Sequence, residues 1–203
     1  MASHMLRLSR LLAAAPPALR LTGDRVILRP PERGDWQAWS ALRAESRRFL
    51  TPWEPSWSPD SLTRAAFRRR LMRYGADWRG DQSYNFLLFR REDEELVGGI
   101  GLSNIRRGVA ETGSLGYWIG ESYARRGHMT GGLRLILGFA FQRLKLHRVE
   151  AACLPHNAPS RGLLLKCGFR QEGYAREYLC IDGRWQDHVL FALLREDWAG
   201  ESS

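Results

Sequence analysis

Short apolar runs alternate with polar, glycine- or proline-bearing breaks along this chain, and their spacing sorts them into strands and helices. Val26-Ile27-Leu28, between Gly23-Asp24 and Pro30-Pro31, predicts a strand. Trp36, Trp39 and Leu42 repeat at helical spacing behind Asp35, which reads as an N-cap. Thr51–Pro59 carries prolines and two tryptophans, Trp53 and Trp57, and reads as a loop. Asp60–Tyr74 predicts a second helix, with Leu62, Phe67, Leu71 and Met72 as its apolar positions. Tyr84–Phe89 and Leu96–Leu102 predict strands joined by the charged turn Arg91-Glu92-Asp93-Glu94, and Glu111–Gly120 predicts another. A basic loop, Ala124–Met129, leads into a long helix expected to end near Lys145. His147–Leu154 is a strand, and Pro159–Cys167 a short helix stopped by Gly168. Phe169–Ile181 and Trp185–Leu194 are strands around Asp182-Gly183, a strong hairpin signal. The order β-α-α-β-β-β-α-β-α-β-β gives an α/β fold with one mixed sheet.

Composition narrows the class. The 203 residues are 44% hydrophobic and 26% charged, which excludes a disordered chain, a collagen and a coiled coil. One domain is expected over residues 21–198. Met-Ala-Ser-His-Met reads as a cloning scar, with Met5 as the natural start. Residues 1–20 read as a flexible tail rather than an export signal, because Pro16 and Pro17 interrupt their short apolar patch; residues 199–203 read as a second tail. No apolar run approaches the ~18 residues of a membrane span. Cys153, Cys167 and Cys180 are too scattered for a disulfide framework, so a reducing, cytoplasmic setting is expected. His128, His147, His156 and His188 show no metal spacing with them, and no metal is expected.

Charge points to an anionic partner. Lys+Arg is 31 against 22 Asp+Glu, a net +9; Lys145 and Lys166 are the only lysines. The arginine excess reflects either genome composition or the use of forked donors on phosphate. Arg64, Arg68, Arg69, Arg70 and Arg73 crowd one predicted helix, as a solvated face or a contact for ribosomal RNA.

Ala124-Arg125-Arg126-Gly127-His128-Met129 lies between a strand and a helix. Free N–H groups at a helix start, a glycine and two arginines suit a pyrophosphate. The loop matches neither GxxxxGK[ST] nor GxGxxG. Further on, Asn157 and Ser160 sit at a helix start, where they are either caps or site residues.

Taken in order, Tyr-Trp-Ile, the basic glycine loop, "LHRVEA", "PHN" with Asn-x-x-Ser, Lys-x-Gly-Phe and "EGYAREYLCIDGRWQDHV" resemble the GNAT N-acetyltransferases. Together with "FLTPWEP" (Phe49–Pro55), they are most similar to the RimJ type, which acetylates a ribosomal-protein alanine. The resemblance runs from Leu21 to Trp198. It implies a central sheet of about seven strands with flanking helices, in which two parallel strands splay apart and hold acetyl-CoA. Those strands would be Glu111–Gly120 and His147–Leu154. Trp118, Ile119 and Gly120 would line the pantetheine arm, and a backbone N–H near Ile119 would face the thioester oxygen. Arg125, Arg126, Gly127, His128, Met129 and Thr130 would hold the pyrophosphate. Asn157 would bond the pantetheine arm or lie near the amine, and Ser160 would protonate the leaving thiolate. The family loop usually carries a polar residue where Ala124 stands and a small one at Met129; methionine also occurs there in RimJ relatives.

The resemblance also implies an acceptor. An α-amine of pKa ~8 is ~10% neutral at pH 7, against ~0.04% for a lysine, so an N-terminal amine needs only weak base help. Many relatives carry a carboxylate where Ser114 stands. Glu177 matches an acidic RimJ position and is the preferred base, or else is an ordinary surface carboxylate; Glu150 reads as structural. The expected acceptor is the N-terminal Ala or Ser amine of a ribosomal protein. A small-molecule amine, or a basic ribosome-binding or assembly factor with little catalysis, are the alternatives. Trp53 and Trp57 are either a lid on the acceptor or plugs under a long loop. The protein is expected as a monomer or homodimer.

Overall fold

Alternating apolar positions draw the strands into one sheet with helices packed on both faces. The computed structural model describes residues 19–198. The strands are β1 (Leu21–Thr22), β2 (Val26–Arg29), β3 (Tyr84–Arg90), β4 (Leu96–Arg106), β5 (Thr112–Ile119), β6 (Arg148–Cys153), β7 (Arg170–Ile181) and β8 (Arg184–Leu194). The helices are α1 (Trp36–Glu45), α2 (Arg47–Leu50), α3 (Arg64–Arg79), α4 (His128–Gly138) and α5 (Ala158–Lys166). The eight-stranded sheet runs β1-β2-β3-β4-β5-β6-β8-β7. Neighbours are antiparallel except β5 and β6. The eighth strand, beyond the seven expected, is the two-residue β1.

The larger core packs Leu133, Ile136 and Leu137 of α4 and Leu164 of α5 against Leu88, Leu102, Val149 and Phe191. A smaller core on the α1 and α3 side joins Trp39, Leu42 and Phe67 to Ile27, Leu87 and Phe89.

The differences from expectation have local causes. The second helix starts at Arg64 and runs on to Arg79: Thr63 caps it by accepting from Ala66 N–H at 3.2 Å. Asp60 instead accepts from Ser58 Oγ and pairs with Arg69. Asp35 holds the N-cap position of α1 but makes no cap bond; its carboxylate takes both Arg29 nitrogens and Glu32 N–H. The helix after the basic loop relaxes into a π turn at Phe139–Arg143, and Lys145 leaves it with φ +59°. Asp182 and Gly183 both have positive φ, as a tight hairpin turn requires. Leu19 packs on the larger core and Arg20 pairs with Glu94, so these two residues of the stretch read as tail belong to the fold. The rest of that stretch and residues 199–203 lie outside the described residues. Among the described residues, no helix is long and apolar enough to cross a membrane.

Candidate active site

The sheet opens where its one parallel pair ends. β5 and β6 are in register from Thr112/Arg148 to Leu115/Ala151. Beyond that, β5 stays on β4, reaching Ile119 opposite Gly98, and β6 stays on β8, reaching Cys153 opposite Val189. Gly116–Ile119 is therefore paired on one edge only. Gly120 N–H donates to Val97 O at 2.9 Å, toward β4. Alternation along the strand turns the Ile119 N–H the other way, into the gap.

A cleft of about 1170 Å³ runs through this gap. It is lined by Trp118 and Ile119 of β5, by Arg125, Gly127, His128, Met129 and Thr130, and by Asn157 and Ser160. Gly127 precedes α4 with φ +83°, and Arg125 is also left-handed at +62°. This double turn leaves the first N–H groups of α4 without intrahelical partners. His128 is buried and its Nδ1 has no hydrogen-bond partner. Burial lowers its pKa, and the charges of Arg25, Arg90 and Arg126 push it the same way. Free amides, a positive field and an unpartnered buried polar atom form a cradle that suits a phosphate group.

Asn157 caps α5 by accepting from Ser160 N–H at 3.1 Å. Ser160 Oγ lies 2.7 Å from the Tyr117 hydroxyl. Burial pushes the Tyr117 phenol well above its usual range and raises Cys153 as well.

A second cavity, about 500 Å³, lies between the sheet and α1 and α3. Its floor includes Gly99, Gly101 and Gly116; its walls include Arg43, Trp57, Arg70 and Tyr74. Any Cβ at Gly99 would fall 2.4 Å from Trp118 Nε1, so the missing side chain is what lets that indole lie across β4. Both cavities touch Glu54, Pro55, Ser103, Gly116, Tyr117 and Trp118, so they share a wall along the part of β5 that borders the gap.

These features agree with the sequence match: the model of the acetyltransferase (GNAT) domain family fits residues 25–170. The chain belongs to the GNAT acetyltransferase family. It is 36% identical over 182 residues to the ribosomal protein uS5-alanine N-acetyltransferase of Escherichia coli K12, covering 90% of this chain and 94% of that one. Mycobacterium smegmatis RimJ, solved with a CoA-disulfide, superposes with a TM-score of 0.80 at 34% identity, covering 84% and 82%. A ribosomal-protein-S5-alanine acetyltransferase of Vibrio fischeri gives 0.82 at 27% identity, covering 89% and 98%. The chain is an N-acetyltransferase similar to the RimJ type.

Within this GNAT site, two expected cofactor residues stand back from the cleft. Gly120 is a packing glycine: a Cβ there would meet Leu42 Cδ1 at 2.5 Å. Arg126 is exposed and contributes its charge beside His128. Glu177 is not brought to the site either. It is exposed on a bulge of β7 with φ +47°, its N–H held by Asp187, and it lines neither cavity. The carboxylates that do line the cleft are Glu54, Glu150 and Glu172. Glu150 stands directly across from Ser114 in the parallel register, bonded to Arg148 at 3.0 Å and Arg106 at 3.3 Å.

Trp53 lines the larger cleft and lies 5.4 Å from His156, ring centre to ring centre. Trp57 lines the smaller one; its indole donates to Glu54 at 2.8 Å. Arg43 pairs with the same carboxylate and stacks between Trp57 and Trp118. The Glu54 carbonyl accepts from Asp182 N–H, which clips this loop to the β7–β8 turn. Sequence reasoning missed this cluster and the Tyr117–Ser160 bond. The glycines of β4 were a readable signal, since glycine inside a strand marks close approach. On α3, Arg64, Arg68, Arg69 and Arg73 face solvent, while Arg70 turns to Tyr74 at the second cavity.

Among the described residues, no group of three or more His, Cys, Asp or Glu is placed to hold a metal ion.

Proposed function

We propose that this enzyme transfers the acetyl group of acetyl-CoA to the N-terminal α-amine of a protein, with an Ala- or Ser-starting ribosomal protein as acceptor. The observation that carries the proposal is the gap between β5 and β6, which holds a phosphate-suited cleft that shares Gly116, Tyr117 and Trp118 of β5 with a second cavity. Acetyl-CoA occupies the larger cleft, its pantetheine arm beside the free edge of β5, as an added strand would lie. Arg125 and Gly127–Thr130 take the pyrophosphate. The amine reaches the thioester from the second cavity through the gap.

The free Ile119 N–H stabilises the negative charge that builds on the thioester oxygen. Ser160 protonates the departing sulfur. This is a modest demand, because a thiol of pKa ~8.5 leaves readily. A neutral amine is the second requirement, and Glu150, in the place left by Ser114, takes its proton directly or through water. Support for the acceptor class comes from the relatives named above, two of which carry a ribosomal-protein alanine in their names. We place the ribosomal RNA around that acceptor against the exposed arginines of α3, and the reaction in the cytoplasm.

The test is acetylation of a panel of N-terminal peptides read by mass spectrometry. Acetyl-CoA-dependent labelling of free Ala and Ser termini is the expected result. Labelling of small amines alone would replace it with the small-molecule reading, and none at all would favour a ribosome-binding factor.

A further inference from the structure

A serine hydroxyl carries one proton, and Ser160 is useful as an acid only if that proton points at the sulfur. The backbone of Ser160 is already fixed, because its N–H is bound by Asn157 Oδ1 at 3.1 Å. The side-chain rotor remains. Tyr117 reaches it from β5 across the gap, with its hydroxyl 2.7 Å from Ser160 Oγ. This side-chain hydrogen bond ties β5 to α5 and spans the opening at which the reaction is placed.

A phenol is a much stronger donor than an aliphatic alcohol, so Tyr117 gives the proton in this bond and Ser160 Oγ accepts it. Burial keeps the phenol neutral, so the donor is present across the working pH range. With one lone pair engaged by Tyr117, Ser160 directs its own hydrogen to a second acceptor on the β6 side of the gap, where the Cys153 sulfur already lies within hydrogen-bond reach. Accepting a bond also polarises the hydroxyl and makes it the better donor.

We propose that Tyr117 is the positioning residue for the leaving-group proton transfer: its phenol donates to Ser160 Oγ and so aims the Ser160 proton at the sulfur of CoA. The proposal rests on the assignment of Ser160 above. In the step, the amine nitrogen forms a bond to the acetyl carbon and loses one proton to Glu150 or water. The carbon–sulfur bond breaks with its electron pair on sulfur. Sulfur takes the Ser160 proton, Ser160 recovers one from solvent, and Tyr117 keeps its own.

The experiment is a double-mutant cycle with Tyr117→Phe, Ser160→Ala and the pair. Single-turnover acetylation rates, acetyl-CoA affinity by calorimetry and Tm are measured for each. Tyr117→Phe removes only an oxygen atom, and Tyr117→Leu is added to remove the ring. Expected results are a loss of about ten-fold in rate for Tyr117→Phe, with acetyl-CoA affinity unchanged, and no further loss when it is added to Ser160→Ala. Tyr117→Leu should lose Tm as well, which separates packing from proton aiming. The proposal is overturned if Tyr117→Phe keeps the wild-type rate. It is also overturned if its full loss persists in the Ser160→Ala background, for then Tyr117 acts through packing. A wild-type rate in Ser160→Ala would remove the Ser160 assignment itself, and the proposal with it.

Discussion

Replacing Gly127 tests the phosphate cradle with two substitutions of different cost. Its φ of +83° is one that L residues adopt at ~1–2 kcal/mol. A Cβ there meets only Arg25 Nη1, at an ordinary 3.5 Å, so nothing else must shift. Gly127→Ala should therefore fold, with Tm lower by about 2–8 °C, taking ~2–4 °C per kcal/mol for a domain of this size. Gly127→Glu carries the same backbone strain and adds a carboxylate at the mouth of α4. At ~5 Å and an effective dielectric of ~20, it repels a phosphate charge by about 3 kcal/mol, a loss of more than ~100-fold in affinity. Calorimetric titration with acetyl-CoA, beside scanning calorimetry of the free proteins, reads both quantities. The expected pattern is a similar Tm for the two variants and a collapse of binding in the glutamate variant. If Gly127→Glu bound acetyl-CoA like the wild type at that lowered Tm, the pyrophosphate would lie elsewhere.

Three further predictions follow from the site. Glu150→Gln should lose activity most below pH ~8, where the acceptor amine is mainly protonated, while Glu177→Gln should keep a pH–rate profile parallel to the wild type; the reverse pattern would return the base to β7. Trp53→Ala should weaken discrimination between Ala- and Leu-starting peptides more than it weakens acetyl-CoA binding, and an unchanged preference would show that the ring does not face the first residue. Native His128 has a pKa below its ordinary 6.5, so below that pH the unfolded chain binds the extra proton first and stability falls as pH falls toward the native value. His128→Gln should flatten the drop in Tm between pH 7 and 5, and an unaltered slope would remove His128 as its source.

Much of the fold was legible because short elements with strong punctuation leave little choice. Val26-Ile27-Leu28 between Gly-Asp and Pro-Pro could only be a strand, and Asp182-Gly183 could only be a tight turn once both residues had to take positive φ. The helix expected from Asp60 starts instead at Arg64, because Thr63 caps it while Arg69 claims the Asp60 carboxylate. Asp35 stands at the start of α1 as expected, but Arg29 takes its carboxylate in place of a cap bond, and the sequence does not reveal that competition. That loop 124–130 and Asn157–Ser160 line one cleft follows from local arrangements, each complete within a few residues. The walls of the second cavity were not legible. Glu54 depends on Arg43, Trp57 and the distant Asp182, and Tyr117 on Ser160, contacts that exist only after the sheet has formed. The acidic match at Glu177 misled because a bulge in β7, unmarked by glycine or proline, turns that position away from the cleft.

The central claim is transfer to an N-terminal amine, and a competition assay addresses it most directly. One reaction at pH 7 would contain an Ala-starting peptide, the same peptide with a blocked terminus and one internal lysine, and a polyamine, with product ratios read by mass spectrometry. The difference in neutral fraction alone favours the free terminus over the lysine by ~250-fold, and a site with weak base help should preserve most of that ratio. Acetylation of the blocked peptide or the polyamine as fast as the free Ala terminus would contradict the account.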